Sequence, residues 1–304
     1  MIQAQAQQIA PRARRRKRFS IGKALIHVVL AVVGFLCVMP MLLVISTSFS
    51  DDLVVAQKGL SLLPQGFTTF TYEFILSSPA QLLRAYGLTM FVTATGTAGG
   101  ILVSALIGYA LAHPEFKLRG LFVFIVVFTM LFSGGMVPTY LVVRGMLGLH
   151  DNVLALILPT MIIPWYIMMF RSHFASLPHE IMESAKIDGA GEWRMFFQIA
   201  MPLSRPWLAT IGLMYILKYW NEWIPAMMYI EDHRLFPLQY LLQQIVRNAQ
   251  FLRSVRTAMT TQVAIPGLSL QMAMVVIAAG PAMFVFMFLQ KYFVRGLTAG
   301  AVKG

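Results

Sequence analysis

Apolar runs near or above the ~20 residues that cross a bilayer as a helix occupy about 24–47, 86–112, 120–143, 153–170, 206–230 and 269–290. Only segments whose backbone hydrogen bonds close internally can sit in hydrocarbon, so the pattern predicts an all-α membrane protein of six transmembrane helices. The polar stretches between the runs belong outside the bilayer. The first of them, 48–84, carries Pro64-Gln65-Gly66 and a pair of threonines, which predict turns in a small outer cap. The third run is interrupted by Ser133-Gly134-Gly135 and then Pro138. Such a break is tolerated where it faces a cavity or packs on another helix, and the sequence leaves both open. No internal repeat or low-complexity stretch is visible, so one membrane domain accounts for 24–304.

The most polar interruption lies at about 178–205, between the fourth and fifth runs. Pro178 is placed to open a short helix through Lys186, Gly189 to supply a positive-φ turn, and a second short helix to run to Pro202. The expected product is a helix-turn-helix knuckle. An ordinary amphipathic linker lying on the membrane surface is the plainer alternative.

Charge decides the side on which the knuckle lies. The chain carries 24 Lys and Arg against 12 Asp and Glu. With the N-terminus in the cytoplasm, sixteen of the basic residues fall in inner segments and seven in outer ones, while Lys218 lies within a run. That asymmetry predicts both termini, and the knuckle with them, in the cytoplasm. The basic stretch 12–18 then sets topology as part of a tail over 1–23, with no nucleic acid as its partner. The apolar run after it exceeds the ~7–15 residues of a signal-peptide core, so no cleavage is expected. With 58% hydrophobic and 12% charged residues the whole is unsuited to a soluble fold. Cys37 is the only cysteine, which excludes a disulfide framework or a multi-thiolate metal site within the chain.

Catalytic chemistry is not legible. There is no Gly-rich phosphate loop ending in Lys-Ser/Thr, the six histidines are scattered, and no nucleophile motif stands out, so neither an enzyme nor a metal site is expected. The fifth run ends in a polar and aromatic cluster, Tyr215, Lys218, Tyr219 and Trp220, followed by Asn221, Glu222 and Trp223. Aromatic rings stack on sugar C–H faces and amides bind hydroxyls, which would make a substrate track. Interfacial aromatics and helix packing explain the same residues, and Lys218 with Glu222, spaced i and i+4, would pair. The outer segment 231–267 holds Arg247, Arg253 and Arg256 among several glutamines, and reads either as a surface for a polar partner or as a solvated amphipathic helix.

Glu183-Ser184-Ala185, Gly189, Ile199 and Met201-Pro202 fall in one register. That register resembles the cytoplasmic loop of bacterial ABC-importer permeases: Glu-Ala-Ala, a Gly four residues on, then Ile-x-Leu-Pro. Ser replaces the middle Ala here and Met the Leu. The tail 290–304, the stretch 132–140 and Trp220-Asn221-Glu222-Trp223 are similar to maltose-type carbohydrate-uptake permeases, particularly the subgroup for uronate-containing oligosaccharides and alginate. The likeness runs from about residue 24 onward.

The resemblance implies a type I ABC-importer permease fold in the bacterial inner membrane. Glu183, Ser184, Ala185, Asp188, Gly189 and Ala190 would contact the ATPase, and the tail 291–304 would reach it. Implied partners are a second permease, two ATPase subunits carrying ATP and Mg, and a periplasmic sugar-binding protein touched by Arg247, Arg253 and Arg256. No cofactor is expected on the chain itself. The implied cargo is an oligo- or polysaccharide, with acidic sugars foremost. The rival reading is a secondary transporter driven by an ion gradient, which only Lys218 and Glu222 would serve.

Overall fold

The computed structural model describes residues 21–258 and 267–301. Its first apolar run forms α1 (Ile21–Ser48), with Pro40 inside the helix. The outer cap follows. Asp51 caps α2 (Asp52–Lys58) by accepting from the N–H groups of Leu53 and Val54, and α3 (Phe70–Ile75) completes the cap. The turn expected at Pro64-Gln65-Gly66 is present, with Gly66 at φ 62°, and two short helices stand beside it. The second long helix, α4 (Pro79–Ala112), begins seven residues before the expected 86, because Pro79 suits the first helical turn and Leu82 and Ala85 are buried.

The third run is broken where the sequence indicates. Helix α5 (Arg119–Leu131) stops, the chain turns through Gly135 at φ 85°, and α6 (Met136–Tyr140) continues into a π-helical turn, Leu141–Met146. The two limbs meet at 117°. The fourth run, expected as one span, is a bent pair: α7 (Leu154–Met161) and α8 (Pro164–Ala175), 48° apart. Pro164 supplies no N–H and holds the residue before it extended, which accounts for the break.

Next come α9 (His179–Ile187), α10 (Glu192–Met195), a π-helical turn Phe196–Ala200 and α11 (Met201–Leu203). The fifth run divides at Glu222–Trp223, before Pro225, into α12 (Arg205–Asn221) and α13 (Ile224–Tyr229). The segment 231–267, left open as a polar surface or an amphipathic helix, is largely one helix, α14 (Leu238–Ala258), which buries Leu238, Leu241, Leu242 and Ala249. The last helix is α15 (Leu268–Ala301).

By length and composition, the helical stretches 25–48 and 79–112 are long and apolar enough to cross a membrane, and the two bent pairs qualify as broken spans. The fifth and sixth expected spans fall on the 17-residue α12 and the 34-residue α15. Helix α1 packs along α15 and otherwise leaves its leucines and valines exposed, a surface suited to lipid.

The core forms around a stripe of small residues on α4, spaced by four: Gly96, Gly100, Ser104 and Gly108. A Cβ at Gly96 would lie 2.4 Å from the Tyr219 ring, and one at Gly100 2.6 Å from the Tyr215 ring, so this part of the stripe is the groove that receives α12, while Gly108 meets α8. Across it the Tyr215 hydroxyl meets Ser104 Oγ at 2.7 Å and donates to the Met161 carbonyl at 2.8 Å. The buried Tyr215 hydroxyl thus finds its partners between helices. Helix α15 is tied to the cap by Asp52, whose carboxylate accepts from Gly267 N–H and, at 3.0 Å, from Ser269 N–H.

Candidate functional site

The knuckle forms from its own residues. Helix α9 ends where Asp188 and Gly189 fold back: Gly189 N–H donates to Lys186 O at 3.0 Å, and Ala190 N–H to Ala185 O at 2.9 Å. Gly189 takes φ 76°, a conformation costly for residues with a Cβ. The second limb, 192–203, is anchored inward through Met195, Phe196 and Ala200, all nearly fully buried. Phe196 meets Tyr109 of α4 edge-on at 5.2 Å.

Of the residues expected at the contact, Glu183, Ser184, Asp188 and Gly189 are exposed and Ala190 is half-buried. Ala185 is not, since it is buried and closes the turn through its carbonyl. Two large apolar side chains beside them are strongly exposed, Ile187 at 86% and Trp193 at 68%.

Sequence reading missed a polar latch beneath the knuckle. Lys186 Nζ lies 2.8 Å from both carboxylate oxygens of Glu115, in the turn between α4 and α5, and 3.9 Å from Glu192. His113 stands 3.7 Å from Glu192, too far for a hydrogen bond, so that contact becomes an ion pair only when the imidazole is protonated. The hydrogen bond and charge of Lys186 hold the Glu115 carboxyl below its ordinary range, and the Glu115 hydrogen bond raises the Lys186 ammonium. The Glu115 contribution to stability is present above the ordinary carboxylate range and is lost only as pH falls through its lowered folded value. That of Lys186 is present below the ordinary lysine range and is lost only as pH rises through its raised one. Neutral pH lies between, so the latch stays closed there. Its partners are 71 residues apart in sequence, and no spacing motif announces them.

The span-five cluster does not form an open aromatic track. Tyr215, Tyr219 and Trp220 are buried between helices, with Tyr219 donating to Ile157 O at 2.8 Å and Trp220 Nε1 to Ala278 O at 2.9 Å. Packing claims these rings because α4 offers them a glycine groove. Lys218 pairs with Glu222, whose side chain is only 12% exposed. Asn221 is exposed, and Trp223 lies 5.6 Å beneath the Arg247 guanidinium. Lys218→Met is therefore expected to strand the Glu222 carboxylate and cost about 1–3 kcal/mol, seen as a lower melting point in detergent.

The chain around Asp151 and Glu231 is also braced. Asp151, at φ 47°, accepts from the N–H groups of Glu231 and Asp232 at 2.6 and 2.9 Å, and Arg144 reaches Glu231 at 3.3 Å. Arg247 is held over Trp223 with its Nη2 3.9 Å from Met227 sulfur, so it is already engaged within the chain. Arg253 and Arg256 fall on α14, and their side chains lie outside the described residues, as do those of the tail from 291 onward and the basic segment 1–20. Among the described residues no cluster of His, Cys, Asp and Glu is arranged to hold a metal ion.

A family model described as the binding-protein-dependent transport system inner membrane component matches residues 9–299. Protein LplC of Bacillus subtilis strain 168 is 40% identical over 272 residues, covering 90% of this chain and 91% of LplC. The polygalacturonan/rhamnogalacturonan transport system permease protein YtcP of the same organism is 39% identical over 280 residues, covering 92% and 97%. Among solved structures, a chain from a bacterial ABC transporter involved in the import of the acidic polysaccharide alginate superposes with a TM-score of 0.74 at 26% identity. That match covers 90% of this chain and 96% of the other. Knuckle, broken spans and full-length likeness agree: the chain belongs to the family of inner membrane components of binding-protein-dependent transport systems.

Proposed function

We propose that the chain is one permease subunit of an ATP-driven importer of oligosaccharides, and that its knuckle is the element through which a cytoplasmic ATPase moves it. The carrying observation is the exposure of Ile187 and Trp193, the latter stacked on the half-exposed Phe197 at 6.1 Å, since large apolar side chains raised on a knuckle that also carries charge suit a protein partner. Glu183, Ser184 and Asp188 would form the polar rim of that contact. The buried residues Met195, Phe196 and Ala200 would carry the motion to α4 through Phe196 and Tyr109, while the Lys186–Glu115 latch keeps the knuckle in register with the α4–α5 turn.

A second permease subunit, two ATPase subunits holding ATP and Mg, and a periplasmic binding protein complete the proposed assembly. Both termini would lie in the cytoplasm, in keeping with the basic asymmetry. Arg253 and Arg256 of α14 are the proposed contacts with the binding protein. The acidic sugar class is supported by the names of YtcP and of the alginate transporter, and the neutralised Lys218 leaves charge selection to other subunits. Ile187→Asp tests the docking claim. The variant should insert in wild-type amounts and lose the ATPase on purification in mild detergent, whereas unchanged co-purification would refute the contact.

A further inference from the structure

Five carboxamides gather where α12, α14 and α15 meet: Asn221, Gln239, Gln243, Gln250 and Gln271. On α14 the glutamines at 239, 243 and 250 share one face, spaced by four and seven. They border a cavity of about 520 Å³, the size of a small-molecule site. Its floor is apolar, with Met274 and Ala278, and none of the described side chains around it is charged.

The amides have little to bind within the chain. Asn221 donates to Leu217 O at 2.8 Å and accepts from Gln239 at 3.4 Å, a long bond. The Gln243, Gln250 and Gln271 side chains make no hydrogen bond among the described residues, and Gln243 and Gln250 are exposed. Carboxamides left unpaired against hydrocarbon are strongly disfavoured, so this face does not meet lipid. Each amide offers two donors and an acceptor, which complements a hydroxyl that both gives and accepts a proton, while the floor suits C–H faces. A carboxylate would call for a cation; Arg247 shares this face of α14 but is held over Trp223, and among the described residues no cation lines the cavity.

We infer that this cavity is a sugar subsite that binds hydroxyl groups and leaves the charge of the sugar unread. The inference rests on the reading of the chain as an oligosaccharide permease. A flat polar surface would equally suit the second permease subunit, but a concave site with amides at its rim and an apolar floor favours a small polyol.

The test uses the full complex, with partner permease, ATPase and binding protein, in proteoliposomes. Trigalacturonate and its neutral methyl ester are the probes. Joint Gln243→Leu and Gln250→Leu replacement should lower the initial uptake of each sugar that the wild type imports by about tenfold, by the same factor for both, with the complex recovered intact. Gln243→Glu should depress trigalacturonate uptake more than that of the ester, because the new carboxylate would face a carboxylate-bearing sugar.

Undiminished uptake by the leucine variant, or an equal effect of Gln243→Glu on both sugars, overturns the subsite while the sugar reading stands. Loss of the second permease from the purified leucine variant also overturns it and marks the face as a subunit interface. A wild type that imports neither sugar overturns the sugar reading and the subsite together.

Discussion

Proline at position 189 is expected to abolish coupling while the protein still inserts. Gly189 sits at φ 76°, whereas a proline ring holds φ near about −65°. Proline also removes the N–H that bonds Lys186 O at 3.0 Å. The combined penalty of about 3 kcal/mol or more falls on a turn that contacts nothing nearby, since a Cβ there meets no atom within 4 Å. The damage is therefore to the aim of the two short helices and not to the membrane core.

ATP-driven uptake should fall about a hundredfold, measured with amounts of inserted protein matched to wild type. Gly189→Ala should lose less, because it keeps the N–H and bears only the ~1–2 kcal/mol of a left-handed residue. Wild-type uptake by the proline variant would remove the knuckle from the mechanism.

The second large effect is expected within the membrane. A Cβ at Gly108 would lie 2.6 Å from Phe170 Cβ, 2.9 Å from Arg171 N and 3.1 Å from Ile167 O. Two of these are backbone atoms of α8, which no rotamer change can withdraw. Gly108→Val must push α4 and α8 apart, at a cost at or above the usual ~1–3 kcal/mol of overpacking. The expected readout is a lower thermal midpoint in detergent and a poor yield of monodisperse protein. Gly120→Ala is the control, for its Cβ would meet nothing within 4 Å, and its midpoint should stay at the wild-type value.

These two glycines mark what the sequence makes legible and what it hides. Gly189 is readable in advance because a local rule governs it: a short helix, a turn that needs positive φ and a second helix are written in consecutive residues. The break at 133–135 is readable for the same reason, as glycines and a proline act on their own backbone. Gly108 is not, since its meaning lies in a helix some 60 residues away that only the fold brings near.

Span five shows the limit most sharply. Tyr215, Tyr219 and Trp220 carry the right chemistry for a sugar, but sequence does not tell which face of α12 meets the glycine groove. The fold buries those rings and leaves Asn221 at the rim. Helix α14 was legible as an amphipathic helix, but not the burial of Leu238, Leu241 and Leu242 that fixes it against the core. The latch of Lys186 and Glu115 rests on exposed, ordinary residues and has no sequence signature at all.

The most direct measurement places the chain, its partner permease, the ATPase and the binding protein in proteoliposomes and follows entry of trigalacturonate. Uptake is predicted to require both ATP and the loaded binding protein, and to persist when ionophores collapse every ion gradient. Uptake by the chain alone, driven by an ion gradient without ATP, would contradict the account and favour a secondary transporter.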